Sequence, residues 1–444
     1  MRVDGGQDHD RGIQGVRDAW ERAGPRGGFI LGPASRGCRP VFQELWYPSA
    51  VLITRTDELK KICAVLARRP YVAVDTEFVG ENSYWPRLCL IQVAHGDQAA
   101  AIDPLDKDLD MGPLFELMAA REVVKVFHSG SQDLAIFFRL MRRMPAPVFD
   151  TQVAAMACGL GDSISYANLV AALVGVDIRK KMQVTNWAHR PLTRAQLDYS
   201  LGDVSHLCDA YEVLAAKLKS LARESWIEEE MNRLTDETRI ETDPSESWRR
   251  INIRGADRRT LAVLREVAAW RERCAISLNI PRNRVARDET LIDVSFRKPR
   301  AAADLEKARG FSSVPGNGVA ATEILAAIER GLAAPVTDAP RPHARIELTD
   351  GLQAQVSLLQ TLLRVRAEEH GIAQRLIATR LDLEALVDAP EGEHRLLAGW
   401  RRDLFGEDAL KLLRGELAIT GDAAGTRIVA TRPVAARPAR PRAS

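Results

Sequence analysis

The stretch that decides the fold runs from Tyr71 to Phe78 and reads YVAVDTEF. Its first four residues, up to Val74, are apolar and β-prone, which is typical of a buried strand. Asp75 and Glu77 follow at a spacing of two, so on a strand both carboxylates project from the same face. Two such carboxylates repel each other and are costly to bury unless a cation lies between them. Oxygen ligands of this kind suit Mg²⁺ or Mn²⁺. A turn-capping Asp75 beside a solvated Glu77 is the alternative.

Two further motifs carry acidic side chains. His128-Ser-Gly-Ser-Gln-Asp133 follows an apolar run and opens a helical pattern, which places Asp133 in the first helical turn. Tyr199 and Asp203 lie four residues apart within another helical pattern and therefore share one helix face. Taken alone, each motif has a structural explanation. Asp133 could simply be a carboxylate near a helix N-terminus, and Tyr199 and Asp203 could be a core tyrosine and a surface aspartate.

Strand and helix patterns alternate from about residue 49 to residue 222. Strands are predicted at Tyr71–Val74, Leu88–Ala94 and Val123–Phe127, with helices at Asp133–Met141, Thr151–Leu160 and Arg194–Ala222. This alternation predicts an α/β domain with helices around a mixed sheet. We expect the domain to form a hydrophobic core of its own, because it has enough chain to do so.

The rest of the chain divides by composition and periodicity. We predict a linker at 223–257, helical domains at 258–333 and 350–418, and a second linker at 334–349. Residues 1–48 are rich in Gly and Arg and predict a disordered or weakly ordered extension, and residues 419–444 predict a disordered Arg/Pro tail.

Overall composition excludes several classes of protein. The 444 residues carry a net charge of +2, which argues against a polybasic protein. The six cysteines contain no C-x-x-C pair, so neither a zinc site nor a disulfide framework is indicated. With no apolar run of membrane-spanning length and no secretory signal, we expect a soluble cytoplasmic protein without a membrane partner. No protein partner can be predicted.

Several segments together resemble the ribonuclease D family of DEDD exonucleases, in the subgroup with a tyrosine in the third motif. They read VAVDTEFVGENSYWPRLCLIQVA, KVFHSGSQDL, FDTQVAA and NWAHRPLTRAQLDYSLGDVSHL, and the resemblance covers about residues 50–222. WRERCAISLNIPRNRVARDETLIDVSFRKP resembles an HRDC domain, and residues 350–418 look like a second, more divergent one. The resemblance implies a ribonuclease H-like exonuclease domain followed by two all-α HRDC-type domains. Asn186 and His206 depart from the residues frequent in relatives, without removing a proposed ligand.

The same resemblance implies the chemistry. Asp75, Glu77, Asp133 and Asp203 match the catalytic carboxylates that bind two divalent cations, Mg²⁺ or Mn²⁺, and Tyr199 matches the residue that positions the attacking water. The reaction implied is 3′→5′ hydrolysis of RNA with release of 5′-mononucleotides. The typical substrates implied are tRNA precursors with 3′ extensions.

Aromatic and basic side chains near these motifs are candidates for RNA binding. Bases stack on aromatic rings and phosphates attract cations, so we consider Phe78, Tyr84, Trp85, Lys181, Arg284 and Arg287. Arg190, near the third motif, is a further candidate for a phosphate contact. Core packing for the aromatic residues and simple solvation for the basic ones are the alternatives.

Two other functions stay open. A DNA 3′→5′ exonuclease of the same superfamily would use the same carboxylates, but its relatives carry polymerase or helicase modules where this chain has helical HRDC-type units. A non-catalytic RNA-binding scaffold would have lost an acidic ligand, and all four are present.

Overall fold

The computed structural model describes residues 52–178, 185–240, 243–311, 317–335, 337–340, 349–422 and 425–431. The extension predicted at 1–48, the candidate Lys181 and the C-terminal residues 432–444 lie outside this part of the chain. Among the described helices, none is both long and apolar enough to cross a membrane.

A six-stranded mixed sheet forms the centre of the first domain. Its strands are β1 (Leu52–Ile53), β2 (Tyr71–Val79), β3 (Arg87–His95), β4 (Gln98–Ile102), β5 (Val124–Phe127) and β6 (Val148–Asp150). Their order across the sheet is β1-β4-β3-β2-β5-β6, antiparallel at β2–β3 and β3–β4 and parallel elsewhere. Strand β2 pairs with β5 at residues 71–73 and with β3 at residues 73–79, so the backbone that carries Asp75 and Glu77 is held in the sheet by β3. The predicted mixed sheet is confirmed.

Within the described residues 52–178 and 185–240, seven helices surround or extend this sheet. They are α1 (Thr56–Leu66), α2 (Gly112–Ala119), α3 (Ser131–Met141), α4 (Thr151–Ala157), α5 (Tyr166–Leu173), α6 (Arg194–Ser220) and α7 (Glu224–Leu234). Helix α6 begins at a capping box formed by Thr193 and Gln196, which satisfies two backbone N–H groups of its first turn. Its Val204 side chain packs on Ala73 and Ala94, whose small side chains lie opposite each other on β2 and β3. The small residues let α6 approach the strand that carries the carboxylates.

Strands β4 and β6 were not predicted from the sequence. Strand β4 reads QAAAI, and alanine is depleted in strands because its methyl group packs poorly on a pleated surface. Strand β6 has only 3 residues, which is too short to show a period. Strand β2 extends to Val79, five residues beyond its predicted apolar part, because polar Asp75 and Glu77 belong to it.

The linker predicted at 223–257 is wrong in its first part, where the chain forms helix α7. Ile227 and Met231 are buried at helical spacing against the hydrophobic core, with Leu234 partly buried beside it. Because glutamates separate these apolar residues, the helical period of this segment was not recognised from the sequence. Further along, two 3₁₀ turns at Glu237–Arg239 and Pro244–Arg250 lead to the next domain.

The first helical domain contains α8 (Arg258–Leu278), α9 (Arg282–Val285), α10 (Asp288–Arg297), α11 (Ala302–Leu305) and α12 (Asn317–Ala333). Leu264, Val267 and Ile328 contribute to its separate hydrophobic core. Helices α8 and α12 pack closely at Gly331, where an added Cβ would lie 2.6 Å from Val263 Cα. Glycine is required there because no side chain fits between the two helices.

The second helical region contains α13 (Asp350–His370), α14 (Gln374–Ile377), α15 (Arg380–Asp388), α16 (Gly399–Arg401) and α17 (Glu407–Leu413). A hairpin of β7 (Leu417–Asp422) and β8 (Gly425–Ala430) follows. The disordered tail predicted from residue 419 is therefore wrong for the described residues up to 431. Ile419 and Ile428, which are paired across the hairpin, pack on the hydrophobic core, and this burial stabilises the two strands.

The exonuclease domain has a hydrophobic core of its own, as expected, which includes Leu59, Ile91 and Phe137, but the domain also shares a second hydrophobic cluster with the second helical region. The shared cluster includes Leu169 and Leu214 of the first domain together with Leu362, Leu386 and Phe405 of the second helical region. Backbone contacts reinforce this junction, because the Ala373 N–H donates to the Met156 carbonyl over 2.9 Å. Arg223, which is buried, donates to the carbonyls of both Ala157 and Gly371, at 2.8 and 3.1 Å.

Candidate active site

Three carboxylates meet where α6 crosses β2. Asp75 and Glu77 project from β2, and Asp203 projects from α6, so that one oxygen of each lies within 4.8 Å of the other two. Asp203 is buried, and Asp75 and Glu77 are half-buried. The predicted projection of Asp75 and Glu77 from one face is therefore observed, and the helix contributes the third acid.

Burial and mutual repulsion disfavour the ionised forms of these groups. Burial, followed by the charges of Asp133, Asp203 and Glu77, raises the pKa of Asp75 well above its ordinary value. Burial and the charges of Asp203 and Asp133 raise the pKa of Glu77 to about 8. Burial raises the pKa of Asp203 to about 7. A site of several oxygen ligands whose negative charges repel each other fits divalent cations, which would relieve that repulsion.

Asp133 lies beside the three clustered carboxylates and is held by Thr76. The Thr76 hydroxyl donates to Asp133 Oδ1, and both side chains are buried. Burial raises the pKa of Asp133. The structure thus brings together three of the four predicted carboxylates and places the fourth next to them. The role of Thr76 was missed, although its position between Asp75 and Glu77 in the DTE motif was a signal.

The turn before α3 places Asp133. Ser129 has a left-handed backbone with φ of 55°, and a Cβ on Gly130 would lie 2.5 Å from Phe127 Cβ. Asp150 holds this turn by accepting the Ser129 and Gly130 N–H groups at 3.1 and 2.8 Å. It also caps α4, because its side chain accepts the Gln152 N–H at 2.8 Å. The contact of Asp150 with the turn, which joins residues 21 positions apart in the chain, could not be predicted from the local sequence.

Tyr199 lies one helical turn before Asp203 on α6. Burial, followed by the charges of Asp203 and Glu77, raises its pKa well above the ordinary value of a tyrosine. The phenol therefore stays protonated at neutral pH and can donate a hydrogen bond, but it cannot act as a base there.

The candidate RNA-binding residues fall into different surroundings. Phe78 is half-buried and packs against the core of the sheet. The hydroxyl of Tyr84 donates to Glu272 of the first helical domain, and the ring of Trp85 lies 4.3 Å beneath the Arg139 guanidinium. Arg284 donates to Asn82.

Arg287 lines a polar cleft of about 600 Å³ between the first helical domain and the segment after β2. Tyr84, Arg250 and Arg271 line the same cleft. Arg190 instead forms a bidentate salt bridge with buried Asp103, with N–O distances of 2.6 and 2.7 Å, and donates a hydrogen bond to the Cys89 carbonyl. Because its guanidinium is occupied by these contacts within the fold, the interpretation of Arg190 as a phosphate contact is not supported.

Two models of protein families match parts of this chain. A 3′-5′ exonuclease family model matches residues 50–219, and an HRDC domain model matches residues 260–328. The chain is 41% identical to ribonuclease D of Granulibacter bethesdensis over 386 residues, which are 87% of this chain and 98% of that protein. The chain belongs to the ribonuclease D family.

Membership of this family makes the chain a 3′→5′ exoribonuclease. It is also 42% identical to ribonuclease D of Zymomonas mobilis over 372 residues, covering 83% of this chain and 95% of that protein. Among solved structures, it is similar to Escherichia coli RNase D, with a TM-score of 0.72 and 30% identity over 83% of this chain and 99% of that one. The predicted order of exonuclease domain and HRDC domain is confirmed.

Proposed function

We propose that this ribonuclease D family member removes nucleotides one at a time from RNA 3′ ends, with tRNA precursors bearing 3′ extensions as its natural substrates. The observation that carries the proposal is the group of Asp75, Glu77 and Asp203, whose oxygens lie within 4.8 Å of one another in an exonuclease domain. The Escherichia coli relative is described as an exoribonuclease involved in structured RNA processing, which supports structured RNA as the substrate class.

The four carboxylates Asp75, Glu77, Asp133 and Asp203 would hold two divalent cations, either Mg²⁺ or Mn²⁺. When bound, such ions supply positive charge to the scissile phosphate, activate water and stabilise the leaving oxygen. The water oxygen attacks phosphorus and the bond from phosphorus to the 3′ oxygen breaks. The products are a 5′-mononucleotide and a shortened RNA with a 3′-hydroxyl.

Tyr199 and Thr76 have distinct roles in this reaction. The protonated Tyr199 hydroxyl donates a hydrogen bond that orients the attacking water. Thr76 holds Asp133 by its hydroxyl and so keeps the fourth carboxylate beside the other three. These are positioning effects, which account for a large share of catalysis when reacting groups must align.

We also propose that the second helical region is a second HRDC-type unit. Helices α8 and α13 each have 21 residues and each end at a left-handed residue, Asn279 with φ of 48° and Gly371 with φ of 55°. A four-residue helix, α9 or α14, follows in both. An extended alanine, Ala286 or Ala378, then leads to the next helix in both. This repeated local geometry supports a common unit.

The proposal is tested with purified protein and three substrates of matched length: 3′-extended tRNA, unstructured RNA and single-stranded DNA. Each is incubated with Mg²⁺, with Mn²⁺ or with a chelator. We expect cation-dependent mononucleotide release from both RNAs. Preferential digestion of DNA would favour the DNA exonuclease, and RNA binding without digestion under any condition would favour the non-catalytic scaffold.

A further inference from the structure

The connection between β2 and β3 is held by the first helical domain. We name this connection the strand-exit segment and define it as residues 80–86, directly after the strand that carries Glu77. The β2–β3 ladder shifts register between Glu77 and Phe78, so this end of the strand is irregular. An irregular ladder loses local hydrogen bonds. The position of Glu77 therefore depends on the contacts that hold the strand-exit segment.

Glu272 of α8 is the centre of this contact. Its side chain is fully buried and accepts two hydrogen bonds from Arg282, at 2.5 and 2.7 Å. It also accepts the hydroxyl of Tyr84 from the strand-exit segment. Arg282 in turn donates to the Tyr84 oxygen over 2.9 Å and lies 4.7 Å from the centre of its ring. A buried carboxylate persists only when it is paired and hydrogen-bonded in this way.

Two further contacts join the same segment to the same domain. The Trp85 N–H donates to Asn279 Oδ1 over 3.1 Å, and Arg284 donates to Asn82. Trp85 also contacts the first domain, because Arg139 of α3 covers its ring at 4.3 Å. Helix α3 carries Asp133 near its start. The segment therefore links the first helical domain to two of the three elements that bear site carboxylates, β2 and α3.

We propose that Glu272 is a positioning residue for catalysis. Through Tyr84 and Arg282 it holds the strand-exit segment, and thereby holds the Glu77 end of β2 in the geometry that the carboxylate site needs. The first helical domain then affects kcat, even for an RNA that is too short to contact this domain. This inference rests on the proposed exoribonuclease function.

Two variants test the proposal. Glu272→Gln removes the charge at nearly constant volume, and Tyr84→Phe removes one hydroxyl while keeping the ring next to Arg282. The matched control is Tyr211→Phe, which removes the hydroxyl of a half-buried tyrosine of α6 whose ring packs on Tyr71 and Phe149. Hydrogen exchange of the amides in 80–86 and the kcat and KM for a short single-stranded RNA are measured on full-length proteins.

We expect exchange in 80–86 to become about tenfold faster in Glu272→Gln. We expect kcat to fall by about tenfold or more with little change in KM, because misplacing a catalytic group affects the reacting complex. Tyr84→Phe should shift both measurements in the same direction by less. The Tyr211→Phe control should match the parental protein in both.

Faster exchange with parental kcat would overturn the proposal, and so would a loss confined to KM or to large structured RNA, because these residues would then act in RNA binding. If Glu272→Gln does not fold, Tyr84→Phe decides alone, and parental exchange with parental kcat in that variant refutes the inference. An inactive parental protein would refute the proposed function and this inference with it. An active parental protein whose variants are indistinguishable from it refutes the inference only.

Discussion

Tyr199 shows how a single residue acquires its role from its neighbours. Burial, followed by the charges of nearby carboxylates, raises its pKa and keeps its hydroxyl protonated, so its contribution is to donate a hydrogen bond. The positions of Asp75 and Glu77 on one strand face were predictable, because alternation depends only on local geometry. The contact of Thr76 with Asp133 was not, because it joins residues 57 positions apart.

At this scale we predict that Tyr199→Phe lowers kcat by roughly a hundredfold. RNA affinity should stay within about twofold of parental, because the aromatic ring and its packing remain. Single-turnover cleavage and equilibrium RNA binding by the same variant separate the two effects. Weaker binding with unchanged single-turnover cleavage would show that the hydroxyl contacts RNA and does not orient water.

At the scale of elements, a short turn places one of the acidic side chains, that of Asp133. The turn Ser129-Gly130 starts α3 and sets where Asp133 lies, with Asp150 holding both backbone N–H groups. Helix α6 was predictable from its long apolar period, and its observed bounds differ from those predicted by two residues at the C-terminal end only. Helix α7 was not predictable, because glutamates dominate its composition while only its few buried apolar residues carry the period.

Gly130→Ala tests the importance of this turn. The new Cβ would lie 2.5 Å from Phe127 Cβ, so the turn must shift. We expect a loss of about 1–3 kcal/mol in the free energy of unfolding and a marked fall in kcat, because Asp133 moves with the turn. The matched control is Gly202→Ala, a helical position with no atom within 4 Å of the added Cβ, which should be neutral or stabilising by up to about 1 kcal/mol. Equal stabilities for the two variants, measured by denaturant unfolding, would contradict this account.

At the scale of the whole molecule, the second helical region shares one of its hydrophobic clusters with the exonuclease domain. Leu169 and Leu214 share one hydrophobic cluster with Leu362 and Phe405. Periodicity indicates which face of a helix is buried but not what it packs against, so this junction could not be predicted from the sequence. The same holds for Glu272 and Tyr84, which are 188 residues apart in the chain.

Truncation distinguishes a shared core from independent domains. A chain ending at residue 348 would expose the apolar faces of α4 and α6, so we expect Tm to fall by about 10 °C or more and cleavage of all RNA substrates to be lost together. A chain ending at residue 431 keeps every described residue and should match the full-length protein. Thermal unfolding of both forms is the measurement, and parental Tm in the shorter form would show that the first domain is independent.

We expect Asp75, Glu77, Asp133 and Asp203 to act together as a cation-dependent site that hydrolyses RNA from its 3′ end. The most direct measurement is a time course of 5′-labelled RNA lengths for the parental protein, Asp75→Asn and the control Asp97→Asn, whose carboxyl is exposed in the turn after β3. We predict stepwise shortening from the 3′ end with Mg²⁺ or Mn²⁺, none with chelator, and a rate about a hundredfold or more lower in Asp75→Asn but parental in Asp97→Asn. Parental rates in Asp75→Asn, digestion in chelator, or internal cleavage products would contradict this role of the four carboxylates.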